Sequence, residues 1–170
     1  MIDIKPFKGT KPFNEDAKNL IAPSTDHLSE EGIVDIFEKN YWNYLKILNP
    51  VGQTREKDAL LAAKKHFAEM KDNHIIKQDS KPCFYVYKIK TSNHFQIGFL
   101  AIANINMFIS NIVKGHEKTY QTRTDERAEQ MMNLNSQIGP IYVTYKDCNK
   151  LDDFLFQVTF NAPQYDFISF

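Results

Sequence analysis

The sequence predicts an α+β (or α/β) fold in which helices pack on a mixed β-sheet. Segments with helical spacing of apolar residues alternate along the chain with runs rich in aromatic and β-branched residues, and no internal repeat interrupts that alternation. The chain has 170 residues, of which 42% are hydrophobic and 25% charged, a composition typical of one globular domain. We therefore expect a single domain over residues 1–170.

The first half of the chain predicts a short N-terminal edge strand, two helices and a second strand. Ser29 is a typical N-cap, and the helix that it starts should end near Lys39. Residues 41–48 are dense in aromatic and branched side chains, which favours a strand ended by the following Asn-Pro turn. Between residues 54 and 70 apolar side chains recur at steps of three and four, which predicts the second helix.

The second half predicts a hairpin, a helix and two strands. Two β-rich runs, 83–89 and 95–102, flank a polar loop and predict a hairpin; because both runs are nearly continuous in apolar residues, we expect both faces to be covered. Residues 104–114 fit a short helix and an irregular apolar loop equally well. The remaining expectations are a helix from Asp125 onwards, with Met131, Met132 and Leu134 towards the core, and strands over residues 140–145 and 154–160.

Charge and cysteine content exclude several classes of protein. Lys and Arg number 21, as do Asp and Glu, so no net field attracts nucleic acid or an anionic membrane, and we expect neither as a partner. No apolar run is long enough for a membrane span, and the N-terminus lacks a signal peptide. Cys83 and Cys148 form no metal-binding pattern, so we expect no metal site but buried, reduced thiols in a cytoplasmic protein.

One polar cluster contains the groups that an anion site needs. Arginines bind oxyanions with two parallel hydrogen bonds, and a histidine or glutamate can transfer the proton. The alternative is a solvated helix start held by pairs of opposite charge, which stabilise little. The cluster consists of His116, Glu117, Thr119, Arg123, Asp125, Glu126 and Arg127.

Several motifs in order resemble a bacterial and archaeal family called domain of unknown function 1015. The most specific are His116-Glu117-x-Thr119, the spacing of Arg123, Asp125 and Arg127, and the run 139–145. Earlier matches are the runs 4–7, 22–26, 40–45 and 82–87. The sequence departs from the family pattern at Ser24, Thr25, Thr124 and Gln130.

The resemblance implies a chain that corresponds to the N-terminal portion of the family, or to a shortened homologue. The family's second half carries an Asp-Gly-His-His-Arg motif, similar to one in serine kinases of the ParB/sulfiredoxin-like superfamily, and this sequence has no His-His pair. The abrupt end at Phe170 also suggests truncation. Apolar surface left by a missing half predicts a homodimer.

Two functions stay open from the resemblance. The first is a non-catalytic ligand-binding or interaction domain. The second is part of a nucleotide-dependent kinase for a small, serine-like metabolite, with ATP or ADP and magnesium as cofactor and an anion or nucleotide as ligand. In the second, His116 and Glu117 are catalytic, and the ligand contacts Thr119, Arg123, Asp125, Arg127 and Asp26.

Overall fold

The structure is a computed structural model, which describes residues 2–13, 17–24, 28–49, 56–116 and 118–168. Helices and short strands alternate along it, which confirms the predicted α+β class. Where we expected one mixed sheet, the described strands form three separate two-stranded sheets, β1–β6, β2–β3 and β4–β5. In chain order the elements are β1 (Ile4–Lys5), β2 (Thr10–Pro12), α1 (Ala17–Leu20), α2 (Glu30–Lys39), α3 (Leu45–Leu48), α4 (Glu56–Asp72), β3 (Ile76–Gln78), β4 (Tyr85–Lys90), β5 (Phe95–Leu100), β6 (Ile102–Ala103), α5 (Asn106–Ile109), α6 (Gln121–Leu134) and α7 (Asn149–Val158).

By its internal contacts the chain divides into two compact units. Unit 1 comprises Met1–Gly9, Gln78–Lys118 and Pro140–Asp166, and therefore contains the β4–β5 hairpin, α5 and α7. Unit 2 comprises Thr10–Lys77, Thr119–Gly139 and Phe167–Phe170, and contains helices α1 to α4 and α6.

The predicted hairpin of unit 1 is confirmed, because β4 and β5 pair as antiparallel strands. Gly98 lies opposite Tyr87, and the Tyr87 ring occupies the space that a Cβ atom at Gly98 would need. The expectation that both hairpin faces are covered is wrong, since Ile89 and Phe95 are exposed. Two strands cannot cover each other's faces, and no third strand pairs with either of them within the described ranges.

The N-terminal segment of unit 1 is held to the start of β4. The backbones of Phe7 and Cys83 exchange two hydrogen bonds of 3.0 and 2.9 Å. The Tyr85 hydroxyl donates to Asp79 Oδ2 at 2.6 Å and accepts from Gly9 N at 2.8 Å. Burial, together with the bond to Asp79, raises the pKa of the Tyr85 hydroxyl. The bonds between Phe7 and Cys83 and between Gly9 and Tyr85 join segments that are 76 residues apart in the chain.

Unit 2 is built on the two helices that the periodicity predicts best. The N-cap of α2 is confirmed, because Ser29 Oγ accepts a hydrogen bond from Gly32 N at 3.2 Å. The apolar face of α4 enters the core with Phe67 and Met70, as predicted. Met132 of α6 is exposed, so its assignment to the core is wrong: the core side of that helix carries Met131 and Leu134. The main cluster consists of Leu20, Ile47, Phe67, Met70, Ile76, Leu134 and Ile138.

The strand predicted over residues 41–48 is wrong, because the segment forms a turn followed by α3. Asn43 directs this outcome: its Oδ1 accepts from Leu45 N at 2.9 Å, and its Nδ2 donates to Ile21 O at 2.9 Å. A side chain that bonds the backbone two residues ahead stabilises a turn in place of a strand ladder. Aromatic β-propensity is therefore overridden by one buried asparagine.

The strand predicted over residues 154–160 is also wrong, because α7 runs through most of it. Asp152 in its first turn accepts a hydrogen bond from the backbone N–H of Cys148 at 3.1 Å, and Leu155 is its buried residue. The charged residues that precede position 154 therefore belong to the start of α7. Residues 104–114, left open by the sequence, contain the short helix α5, and α6 begins at Gln121, before the expected Asp125.

Two further expectations for unit 1 are corrected. The segment 140–145 forms no strand, because no hydrogen bond between its backbone and the backbone of another described residue is present. A segment with the composition of a strand forms no ladder of backbone hydrogen bonds unless another strand lies beside it. Cys83 and Cys148 are exposed free thiols, so the expectation of buried cysteines is wrong: Cys83 precedes β4 and Cys148 precedes α7, both on the surface.

Candidate functional site

The predicted anion site is distributed over both units of the chain. His116 is exposed in unit 1, whereas Thr119 and the arginines Arg123 and Arg127 belong to unit 2. Glu117 and Asp26 lie outside the described residues. Within unit 2, the residues of the cluster that share one element are those on α6.

The first two turns of α6 carry their charged side chains on the surface. Arg123, Asp125 and Arg127 are all exposed. Asp125 Oδ1 accepts a hydrogen bond of 2.7 Å from the side-chain amide of Gln121, one turn earlier. Arg123 makes no hydrogen bond or ion pair with another residue of the described ranges. This part of the cluster resembles the solvated helix start that was the alternative interpretation.

Arg127 has a different environment, because its guanidinium is part of a hydrogen-bonded group with Gln130. Arg127 Nη1 donates to Gln130 Oε1 at 2.9 Å and lies 3.5 Å from Leu48 O. Gln130 is only 5% exposed, and its Nε2 donates to the carbonyls of Ile47 and Leu48 at the end of α3. The last carbonyls of a helix lack partners within it, so these donors complete α3 and attach α6 to it.

A compact group that no sequence motif indicates surrounds the buried His66. The His66 ring is stacked on Trp42, with centroids 5.6 Å apart and planes at 28°, and it meets the Tyr41 ring edge-on at 5.3 Å. Tyr41 donates from its hydroxyl to Glu69 Oε2 at 2.7 Å, and Lys46 Nζ lies 4.2 Å from the Tyr41 ring centroid. The signal available in the sequence was a histidine at a core position of α4, one residue before Phe67.

Burial and charge perturb the titration of this group. Burial lowers the pKa of His66, the Lys46 ammonium lowers it further, and Glu69 opposes both. Burial also lowers the pKa of Lys46, although Glu69 acts against that shift. The hydrogen bond to Glu69 raises the pKa of Tyr41. The neutral forms of the imidazole and the phenol are therefore favoured in this group.

Unit 1 exposes an unusual amount of apolar surface. Among its described residues, the buried hydrophobic side chains are those of Met107 and Leu155. The ring of Phe156 on α7 contacts the ring of Phe160, which follows that helix, with centroids 5.1 Å apart, yet both residues are exposed. The other exposed large apolar residues include Phe84, Ile89, Phe95, Ile102, Ile105, Phe108, Ile109, Ile112, Ile141, Tyr142, Val143, Tyr145 and Phe154. Exposed apolar area on this scale is typical of interaction surfaces.

Another surface feature of the described residues is an acidic concavity on α2. A shallow concavity on α2 is lined by Val34 and by four acids, Glu30, Glu31, Asp35 and Glu38, and such a lining repels phosphate. The described residues bring no three His, Cys, Asp or Glu side chains together as a metal site would require. None of the helices in the described part of the chain combines the length and the apolar character needed to cross a membrane.

Comparison with known proteins gives a family and no individual relative. No curated protein and no solved structure matches the sequence. A family model matches residues 4–169, which is nearly the whole chain. The match covers both units and the cluster from His116 to Arg127, in agreement with the motifs noted in the sequence. The chain therefore belongs to the family described as Protein of unknown function (DUF1015).

Proposed function

We propose that the chain is a non-catalytic interaction domain and that unit 1 binds a second copy of the chain. The observation that carries this proposal is the contrast within unit 1, where Met107 and Leu155 are the buried apolar residues of the described part and the aromatic side chains of α7 remain exposed. An isolated two-stranded hairpin is marginally stable in water, and burying its exposed apolar side chains against another surface stabilises it.

The choice of a second copy as partner follows from charge and from the form of the surface. The chain has zero formal net charge at pH 7, so two copies do not repel each other at long range. Exposed apolar side chains can pack against the same side chains of a second copy, which is the requirement of a two-fold symmetric contact. The Phe95, Phe156 and Phe160 group offers aromatic and apolar contacts, which the same side chains of a second copy can match.

Sedimentation equilibrium of the wild type and two matched variants tests this proposal. Phe154 of α7 in unit 1 is 60% exposed, and Leu61 of α4 in unit 2 is 65% exposed. We expect a concentration-dependent dimer for the wild type, weakened at least about tenfold by Phe154→Glu, because a charge must then be desolvated on association. Leu61→Glu should leave the dimer unchanged. A wild type that is monomeric at all concentrations, or equal effects of both substitutions, would contradict the proposal.

A second candidate, nucleotide-dependent phosphoryl transfer, is favoured by Arg123. Its guanidinium is exposed and has no partner in the described ranges, so it is available for an anion. Here Arg123 and Thr119 bind phosphate oxygens, while His116 or Glu117 transfers the proton, with ATP or ADP and magnesium as cofactor. An NMR titration with ATP and magnesium, with and without serine, tests it: saturable amide shifts at residues 118–127 that Arg123→Ala removes would support the candidate, and no shift at about millimolar nucleotide would exclude it.

The cytoplasm is the compartment that we propose for the chain. Both cysteines are exposed and unpaired with each other. Exposed thiols persist where the environment is reducing, and they become oxidised in secreted proteins.

A further inference from the structure

The His66 ring is buried in unit 2 without full hydrogen bonding. The residue is 7% exposed, and its Nε2 has no hydrogen-bond partner among the described residues. Its neighbours on the ring faces and edge are Trp42 and Tyr41, which offer apolar and aromatic contacts to a neutral imidazole. A neutral ring can leave Nε2 as an unprotonated acceptor, with the proton on Nδ1.

Protonation changes the hydrogen bonds that the buried His66 ring requires. A protonated imidazole is a donor at both nitrogens, so Nε2 would carry a buried N–H that needs an acceptor. The charged groups that act on the ring are Lys46 of α3, which opposes a second positive charge, and Glu69 of α4, which favours it. The Glu69 carboxylate already accepts the Tyr41 hydroxyl at 2.7 Å, and its other oxygen lies 3.9 Å from Lys65 Nζ.

We propose that His66 is an acid-sensitive switch: the neutral ring holds α4 against Trp42, and the protonated ring leaves that contact and loosens α4 from α3. The inference concerns unit 2 alone and is independent of the association proposed for unit 1. Movement of the ring to water gives both nitrogens acceptors and removes the positive charge from the vicinity of Lys46.

The lowered pKa of His66 determines how the stability of unit 2 depends on pH. The unfolded chain binds the proton near the ordinary pKa of 6.5, whereas burial keeps the pKa of the folded ring below that value. The unfolded or open state therefore binds more protons in the interval below 6.5. The contribution of His66 to the stability of unit 2 is present above 6.5 and is lost as the pH falls through the lowered pKa.

The chain contains a single tryptophan, Trp42, so its fluorescence reports directly on this contact. The experiment follows Trp42 emission and the imidazole NMR signals of His66 from about pH 8 to about pH 4, together with amide exchange of α4. We expect the emission change and the His66 titration to share one midpoint. The α4 protection factors should fall by roughly tenfold for each pKa unit by which the folded ring departs from its ordinary value.

Two variants separate His66 from general acid effects. His66→Phe keeps an aromatic ring beside Trp42 but cannot be protonated, so the emission change should disappear. His74→Asn is the matched control, because His74 follows α4, is exposed and has a φ of 58°, a conformation that asparagine tolerates. That variant should titrate as the wild type does.

The wild-type NMR titration decides the matter even where His66→Phe fails to fold. A His66 ring with an ordinary pKa of 6.5, or one that titrates without a change in Trp42 emission, would overturn the proposal. The same conclusion would follow from an unchanged acid transition in a folded His66→Phe chain.

Discussion

Replacing Gln130 with leucine tests whether the α6 cluster has a structural role. Leucine fills a similar volume, so the main loss is the amide that donates to Ile47 O and Leu48 O. Leaving a buried carbonyl without its donor costs about 1–3 kcal/mol, and loss of the charge-assisted bond from Arg127 adds about 1 kcal/mol. Because Gln130 is fully surrounded by protein, we expect the free energy of unfolding of unit 2 to fall by about 2–4 kcal/mol.

Urea denaturation followed by Trp42 fluorescence measures this loss within unit 2. With a slope of about 1–3 kcal/mol per molar urea, the midpoint should fall by roughly 1 M or more. Arg127→Ala removes only the exposed end of the group and should cost about 1 kcal/mol or less. Arg123→Ala, on the same helix, should stay within about 0.5 kcal/mol of the wild type. A Gln130→Leu chain as stable as that control would refute the role assigned to Gln130.

Three further predictions concern the N-cap of α2, the β4–β5 hairpin and the Tyr145 hydroxyl. Ser29→Ala removes the N-cap bond of α2 and should cost about 1 kcal/mol in the same denaturation experiment. Gly98→Ala forces a methyl group into the Tyr87 ring across the hairpin and should reduce the amide protection of β4 and β5. Gly139→Ala is the control, because no described atom other than those of its chain neighbours lies within 4 Å of the new carbon. The Tyr145 hydroxyl donates to Asp152 Oδ1 at 2.6 Å, and this bond raises the pKa of Tyr145 from 10.0 to about 12, so the neutral phenol favours the folded state. The contribution of Tyr145 to the free energy of unfolding is therefore present below pH 10.0 and lost as the pH rises to about 12. In Tyr145→Phe, the free energy of unfolding should decline less over this alkaline interval, which denaturation curves at several pH values measure.

The sequence was informative where a local pattern and the tertiary contacts agree. The Ser29 cap and the spacing of apolar residues along α4 correctly predict both long helices of the first half. The two β-rich runs correctly predict the hairpin. It was misleading at residues 41–48, where the Asn43 side chain stabilises a turn that aromatic content does not reveal. The strand predicted over residues 154–160 is wrong because Phe, Leu and Val fill a helix face as well as a strand.

The candidate site could be predicted in composition but not in arrangement. The cluster from His116 to Arg127 is contiguous in the sequence, yet its described members belong to both compact units. Arg127 could be recognised as an oxyanion-binding type of residue, but its approach to Leu48 O and the bonds from Gln130 to the end of α3 are contacts between distant segments. The His66 group is assembled from two such segments, which no local pattern joins.

The positions of tryptophan and cysteine make the two units spectroscopically separable. Trp42 lies in unit 2, and the two exposed thiols, Cys83 and Cys148, lie in unit 1. Intrinsic emission therefore monitors one unit, while a thiol-reactive dye or the rate of thiol modification monitors the other, without any engineered label site. Two denaturation curves of the wild-type chain, one from Trp42 emission and one from thiol reactivity, would show whether the two units unfold as one cooperative system or in sequence.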